Sequence, residues 1–334
     1  MLNDKVILVT GGTGSFGKKF THIVLENYSP KKLIIFSRDE YKQYEMSQIW
    51  DKKKYSCIRY FIGDVRDKQR LIRALNDVDY VIHAAALKQV PAAEYNPEES
   101  IKTNIIGSMN IINAALYNNV KKVVVISTDK ACNPLNLYGA TKLCAEKLFV
   151  SAKVYTGLSK KTVFTVVRYG NVIGSRGSVV PYFREYAKTG ALPITDPRMT
   201  RFWITLDQGV CFVLKVLDLM RGGEIFVPKI PSMKITDLAK ALAPECTQKV
   251  IGIRPGEKIH EVLISEAEGR STTEYDDYYA IRDNNCDEDE EFVGGPEGTL
   301  CPEGFSYTSN NNPAQLSIED LRNILEQTAH ESRF

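Results

Sequence analysis

Val6-Ile7-Leu8-Val9-Thr10-Gly11-Gly12-Thr13-Gly14-Ser15-Phe16-Gly17 is the stretch on which the fold turns. Four aliphatic residues in a row suit a strand covered on both faces. The glycines at 11, 14 and 17 follow at once and lead into a helix-length segment. Glycine there allows a tight turn, close approach of backbone to a pyrophosphate and close packing of helix on strand, while the helix N-terminus offers N–H donors to the anion. A glycine turn without a ligand is the plainer alternative. The position between strand and helix favours the cradle, which assigns Gly11, Thr13, Gly14, Ser15, Phe16 and Gly17 to cofactor binding.

Outward from this stretch, short apolar runs alternate with amphipathic ones. Val6–Val9, Leu33–Phe36, Arg59–Ile62, Tyr80–His83, Val123–Ile126 and Val163–Val167 read as strands with helices between them. That is an α/β chain with a doubly wound parallel sheet, a Rossmann-type dinucleotide-binding domain over residues 1–170. After residue 170 prolines mark the turns and the alternation weakens, so 171–201 and 227–334 are expected to form a smaller mixed α/β substrate-binding lobe. One return to the first domain is expected at about 202–226, through Phe202–Ile204 and a helix over Leu206–Met220. From Asp276 to Pro313 the composition is acidic and rich in Asn and Gly, with Asp287-Glu288-Asp289-Glu290-Glu291, and reads as a solvated loop. A last helix should start at Ser317, whose hydroxyl can cap the turn containing Asp320.

The 334 residues are 43% apolar, enough for a full core. Lys plus Arg number 43 and Asp plus Glu 41, so no global field points to nucleic acid or an anionic membrane. Seven cysteines without CxxC spacing argue against a disulfide framework and a metal site, and read as reduced thiols. The first strand starts too early to leave room for a signal sequence, and no apolar run approaches the ~20 residues that cross a bilayer. A soluble cytoplasmic protein is expected.

The second strand ends Phe36-Ser37-Arg38-Asp39-Glu40, with Lys42 close behind. An NAD site usually has an acid here for the ribose 2′-hydroxyl, whereas a hydroxyl and two cations suit a 2′-phosphate, so Ser37, Arg38 and Lys42 favour NADP. Asp39 pulls the other way, and ordinary exposed charges at 38 and 42 remain the alternative. Asp64 and Val65 at the third strand's end suit adenine; Ala84, Ala85 and Ala86 after the fourth leave space for the nicotinamide ribose. His83 reads as structural.

Ser127-Thr128-Asp129-Lys130 follows the fifth strand, and Tyr138 and Lys142 come next at i and i+4, on one face of a helix. The ammonium of Lys142 can lower the phenol's pKa, so that Tyr138 takes a proton from a sugar hydroxyl while hydride leaves for nicotinamide. Oxidation alone needs only this pair. An added acid and base suit β-elimination: a C4 ketone acidifies the C5 proton, a base removes it, an acid helps the C6 hydroxyl leave, and hydride returns to C6. Lys130 as base would have to be partly neutral, which Lys142 and an oxidised nicotinamide could promote. A surface or phosphate-contacting lysine is the other reading.

GGTGSFG, FSRDE, FIGDVRD, HAAALKQVP, EYNPEES, STDKACNP, YGATK, VRYGNVIGSRGSVVP, PITDPRMTRFWITL, EIFVPKIPSMK and IGIRPGEKIHE span residues 11 to 261. Together they resemble the inverting UDP-N-acetylglucosamine 4,6-dehydratases of bacterial pseudaminic acid biosynthesis, extended short-chain dehydrogenases. Retaining dehydratases typically carry Asp-Glu where this chain has Asp129-Lys130. The resemblance implies NADP, a UDP-N-acetylglucosamine substrate, a 4-keto-6-deoxy product inverted at C5 for flagellin glycosylation, and a homo-oligomer, a hexamer among the options. By the same resemblance Lys130 is the C5 base, Asp129 the acid at C6, Thr128 a positioning hydroxyl, and Tyr138-Lys142 the oxidising pair. Ser127 and Val172 join the cofactor contacts, Lys88 serves cofactor and substrate, and Asn171, Arg201, Arg254 and Glu257 contact substrate. Arg201 and Arg254 suit a diphosphate because guanidinium forks onto two oxygens, with inter-lobe salt bridges as the alternative. A 4-epimerase, a retaining dehydratase and a non-catalytic NADP-bound sensor are the competing functions.

Overall fold

A computed structural model describes residues 1–155, 162–175, 178–282 and 298–331, with side chains to 327. Six parallel strands form its centre: β1 (Val6–Thr10), β2 (Lys32–Ser37), β3 (Ile58–Ile62), β4 (Tyr80–His83), β5 (Lys122–Thr128) and β6 (Val163–Tyr169). They lie in the order β3-β2-β1-β4-β5-β6, each within two residues of the run that marks it in the sequence. β1 is buried at all five positions, pairing Val6 with Lys32 on one side and Ile7 with Tyr80 on the other. Strand order reverses between β1 and β4, and the crevice outside their carboxyl ends is where ligands bind in such sheets.

The main sheet continues past β6. Ile225–Pro228 adds in parallel, followed by antiparallel Tyr278–Ile281, Thr272–Glu274 and Thr299–Leu300. The helix Leu206–Leu219 buries Val210, Val213 and Val216 in the main core. That helix thus packs with the main core, whereas Thr200–Ile204 pairs with Asn171–Val172 and Ser232–Lys234 in a small separate sheet. Alternate side chains of that strand serve two cores. Phe202 and Ile204 pack into the main core, and Trp203 packs into a second one with Phe183, Leu238 and Leu321.

A second return, through residues 272–281, was not read from the sequence. Tyr278 to Ile281 are all buried, and the acid-rich residues around them masked a four-residue apolar run. Tyr307, also inside the stretch expected to be a solvated loop, is buried; its hydroxyl donates to the Ile230 carbonyl at 2.8 Å and accepts from the Ile230 N–H at 3.0 Å. Asp287-Glu288-Asp289-Glu290-Glu291 lies outside the described residues. The last helix, Ile318–Glu331, opens as expected: Ser317 Oγ accepts from the Asp320 N–H at 3.0 Å, and Asp320 Oδ2 accepts from the Ser317 N–H at 3.0 Å. Among the described residues no helix is long and apolar enough to cross a membrane.

Candidate active site

One cavity of about 1330 Å³ runs along the carboxyl ends of the strands and into the space between the two cores. Of the site residues expected from the sequence, all but Gly17 and Asp129 line it. Gly17 lies behind it, where a Cβ would come 2.3 Å from the Gly12 carbonyl oxygen. Asp129 is completely buried beneath it.

At the cofactor end, Gly11 adopts φ +63° and a Cβ there would fall 2.9 Å from Ala85 backbone atoms, so only glycine permits this approach. The helix Ser15–Asn27 starts at Gly14 without a side-chain cap and with no acid in its first turn, leaving its positive end to a phosphate. Ser37 and Thr13 join hydroxyls at 2.9 Å. Asp39 is turned to the following helix, accepting from the Lys42 N–H at 3.0 Å and pairing with Lys42 Nζ. Arg38, 55% exposed, stands 3.8 Å from Asp64. Burial acts to raise the Asp64 carboxyl, but hydrogen bonds and charge from Arg66, aided by Arg38, hold it below its ordinary value. Thr10 Oγ1 contacts His83 Nδ1 at 2.8 Å and accepts from the Ala85 N–H at 3.2 Å. Burial, helped by Lys142, takes His83 down to about 3, so it is a neutral structural ring. Ser127 Oγ lines the cavity and is buried with no hydrogen-bond partner among the described residues. The glycine cradle, the uncapped helix end and this orphan hydroxyl fit a nicotinamide dinucleotide.

Asn104, which the sequence reading passed over, fastens the loop after β4. It sits in a widened turn, Lys102–Ile106, accepts from the Leu87 N–H at 2.8 Å, and donates to the Leu87 carbonyl and to Thr141 Oγ1, both at 2.9 Å. Thr141 is on the helix Leu137–Val150 that carries Tyr138 and Lys142. Asn136 caps that helix, its Oδ1 accepting from the Gly139 N–H at 2.8 Å. Gly139 lets the helix meet the turn Asp129–Ala131: a Cβ on it would lie 2.2 Å from the Lys130 carbonyl oxygen.

Lys142 Nζ donates to the Ile126 carbonyl at 2.7 Å, and burial brings it down to about 8 against the pull of Glu146. Burial pushes the Tyr138 phenol up to about 12, against the pull of the Lys130 cation and the neighbouring Thr128 hydroxyl. Lys142 gives one of its three N–H donors to β5. Thr128 Oγ1 donates to Asp129 Oδ1 at 2.9 Å. Lys130 Nζ reaches Asp129 Oδ1 at 3.0 Å, Asn171 Oδ1 at 3.4 Å and Glu261 Oε1 at 3.5 Å. Burial pulls Lys130 down, but Asp129 and Glu261 carry it above the ordinary lysine value. The expectation of a partly neutral Lys130 thus meets a resting ammonium held by two carboxylates. Burial raises Asp129 more than Lys130 lowers it.

On the substrate side, Arg201 gives NH1 to the Thr200 and Ile259 carbonyls at 2.7 and 3.0 Å, and NH2 to the Lys258 carbonyl at 2.9 Å. It lines the cavity as a strut whose forks are already engaged. Arg254 is half exposed, 3.9 Å from Glu257 Oε1 and 5.7 Å above the Tyr182 ring, with its outer face open to an anion. Lys88 lines the wall formed by the loop after β4. Glu261 and Lys258 also line the cavity and were missed, although both lie in IGIRPGEKIHE, from which only Arg254 and Glu257 were taken. Among the described residues no cluster of His, Cys, Asp and Glu could hold a metal ion.

Residues 7–283 match the family described as polysaccharide biosynthesis protein. An inverting UDP-N-acetylglucosamine 4,6-dehydratase of Campylobacter jejuni subsp. jejuni serotype O:2 is 58% identical over 335 residues, covering 98% of this chain and 99% of that protein. A UDP-glucose 4-epimerase of Rickettsia bellii is 43% identical over 337 residues, with 97% and 96% covered. The X-ray structure of Pen from Bacillus thuringiensis superposes with a TM-score of 0.89 at 37% identity, over 98% of this chain and 99% of that one. The chain belongs to the polysaccharide biosynthesis protein family and stands within it beside the inverting UDP-N-acetylglucosamine 4,6-dehydratases.

Proposed function

We propose that this protein is a UDP-N-acetylglucosamine 4,6-dehydratase that inverts C5. The observation that carries the reading is the Asp129-Lys130 pair at 3.0 Å, with Lys130 on the cavity wall beside Tyr138 and the Asp129 carboxylate buried beneath it. Oxidation at C4 alone gives no role to a second acid and base. The chemistry supplied by a bound nicotinamide is hydride acceptance from C4 and hydride return to C6. Tyr138 takes the C4 hydroxyl proton, with Lys130 and the Thr128 hydroxyl easing ionisation of a phenol that burial opposes. Burial disfavours both charges of the Asp129-Lys130 pair, so a proton moved from Nζ to the carboxylate leaves a neutral amine and a neutral acid. The amine then removes the C5 proton, and the acid gives its proton to the departing C6 hydroxyl, which leaves as water. Both groups end in the forms they started from.

The cofactor reading is NADP, supported by Ser37, Arg38 and Lys42 and by the engagement of Asp39 with its own helix. Lys88, Asn171, Arg254 and Glu257 are proposed at the substrate, with Arg254 at the diphosphate and Arg201 holding the wall. The resemblance further supports a cytoplasmic place, a step toward pseudaminic acid and flagellin glycosylation, and a homo-oligomer. Exposed Ile106, Met109 and Tyr117 on one helical stretch support self-association.

Incubation with UDP-N-acetylglucosamine and no added reductant tests the reading. A product lighter by one water and, by NMR in deuterated water, deuterated and inverted at C5 is expected. Retention at C5 would indicate a retaining dehydratase. An isomer of unchanged mass would replace it with a 4-epimerase, the reading favoured by the Rickettsia bellii relative. Lys130→Ala is expected to lose turnover and keep cofactor; wild-type turnover in that variant would remove Lys130 from the mechanism.

A further inference from the structure

Glu261 is 2% exposed and yet lines the cavity. Its backbone N–H donates to Ser309 Oγ at 2.9 Å, fixing the residue to the substrate side of the molecule. Three cations surround its carboxylate: Lys130 at 3.5 Å, Arg201 Nε at 3.7 Å and Lys258 Nζ at 3.8 Å. Its Oε2 has no hydrogen-bond partner among the described residues. A buried carboxylate persists only with its counter-charges, and here they are these three cations. Arg201 and Lys258 do not need it to stay paired, since Arg201 donates to three backbone carbonyls and Lys258 Nζ donates to the Cys132 carbonyl.

Lys130 is where Glu261 has an effect nothing else supplies. An ammonium has three N–H donors on a flexible four-carbon stem. Here the three acceptors are Asp129 Oδ1, Asn171 Oδ1 and Glu261 Oε1, from three separate segments of the chain. We propose that Glu261 is a positioning residue for the elimination, the third point of a tripod that holds the Lys130 nitrogen at one place in the cavity. The inference rests on the dehydratase reading. Once Lys130 has passed one proton to Asp129, Asn171 and Glu261 remain beside the nitrogen, so the base is kept close to its place as its lone pair turns from the Asp129 acid to C5. Without Glu261 the nitrogen keeps Asp129 and Asn171 but can swing about them, with Arg201 repelling it.

The test compares the wild-type holoenzyme with Glu261→Gln and Glu261→Asp on UDP-N-acetylglucosamine. The Gln variant is expected to lower kcat on the order of 10²-fold, the cost of misplacing a reacting group by about 1 Å, with KM nearly unchanged. Oxidation at C4 should survive, so reduced nicotinamide builds up during a single turnover and deuterium entry at C5 slows. The groups facing Lys130 are Asp129, Glu261, Arg201 and Tyr138. Removing one of its two carboxylates makes it easier to deprotonate, so the ascending limb of kcat should move to lower pH. Glu261→Asp should recover part of kcat, and it carries the same comparison if the Gln variant does not fold. Wild-type kcat and an unmoved pH limb would overturn the proposal, as would parallel loss of oxidation, kcat and thermal stability, which marks a merely structural residue. A wild-type product of unchanged mass would overturn the dehydratase reading itself; a dehydrated wild-type product with an indifferent Gln variant overturns this inference alone.

Discussion

On the NADP reading, Arg38 is the side chain that would tell the two cofactors apart. Asp39, the acid that argued for NAD, spends one oxygen on its helix cap and the other on Lys42. Arg38 projects half exposed at the end of β2, where a 2′-phosphate would lie. A charge-assisted hydrogen bond contributes about 1.5–3 kcal/mol, so Arg38→Asp should weaken NADP binding by roughly 10- to 100-fold and leave NAD binding nearly unchanged. Titration of the apoprotein with each cofactor checks this, and equal losses for both would undo the NADP assignment. The residues that could be read at this scale are those whose chemistry is local: a glycine after a strand, a tyrosine and lysine one turn apart. Glu261 and Asn104 could not be read that way. Their partners, Lys130 for one and Leu87 and Thr141 for the other, come from remote segments, and no spacing rule announces them.

Between elements, the decisive contact is the helix Leu137–Val150 seated on the turn Asp129–Ala131. Gly139 is what makes the seat possible, because any Cβ there would press on the Lys130 carbonyl. Backbone cannot give way as a flexible side chain can. Gly139→Ala should therefore push the helix off the turn and separate Tyr138 from Lys130. The expected result is a kcat lower on the order of 10²-fold and a stability loss of about 1–3 kcal/mol from overpacking, with cofactor still bound. Steady-state kinetics and urea unfolding measure the two effects, and an unaltered kcat would show that this contact does not set the site. Elements were legible where β-branched runs stood between polar segments, as in β1 and β5. Tyr278–Ile281 was hidden because its neighbours Asp276 and Asp277 and the acidic run beyond gave the window a solvated average. The pairing of Thr200–Ile204 in a small sheet was hidden for another reason: a strand between two cores looks the same in sequence as one inside a single core.

Across the whole molecule, segments remote in the chain are tied to the main sheet by charges as well as by packing. Arg168 on β6 is completely buried and binds Glu146 of the Tyr138 helix at 2.7 Å, Glu268 at 2.8 Å and the Leu263 carbonyl at 2.8 Å. Burial acts to raise Glu268, but Arg168 and the Ser265 hydrogen bonds outweigh it and hold the carboxyl down at about 2. A depressed carboxyl contributes stability that is fully present above its ordinary value of 4.5 and is lost as pH falls toward about 2. Arg168→Met would leave the buried Glu146 and the half-buried Glu268 without their cation, at a cost of about 3–5 kcal/mol. In that variant Glu268 should protonate more readily, so the loss is expected to be largest at neutral pH and to shrink once the pH drops below the ordinary carboxylate range. Urea unfolding of wild type and variant over a pH series measures the difference directly. A gap that narrows in acid identifies Arg168 as the electrostatic tie between β6, the Tyr138 helix and the segment around Glu268; a gap of constant size would mean that the side chain contributes by filling space.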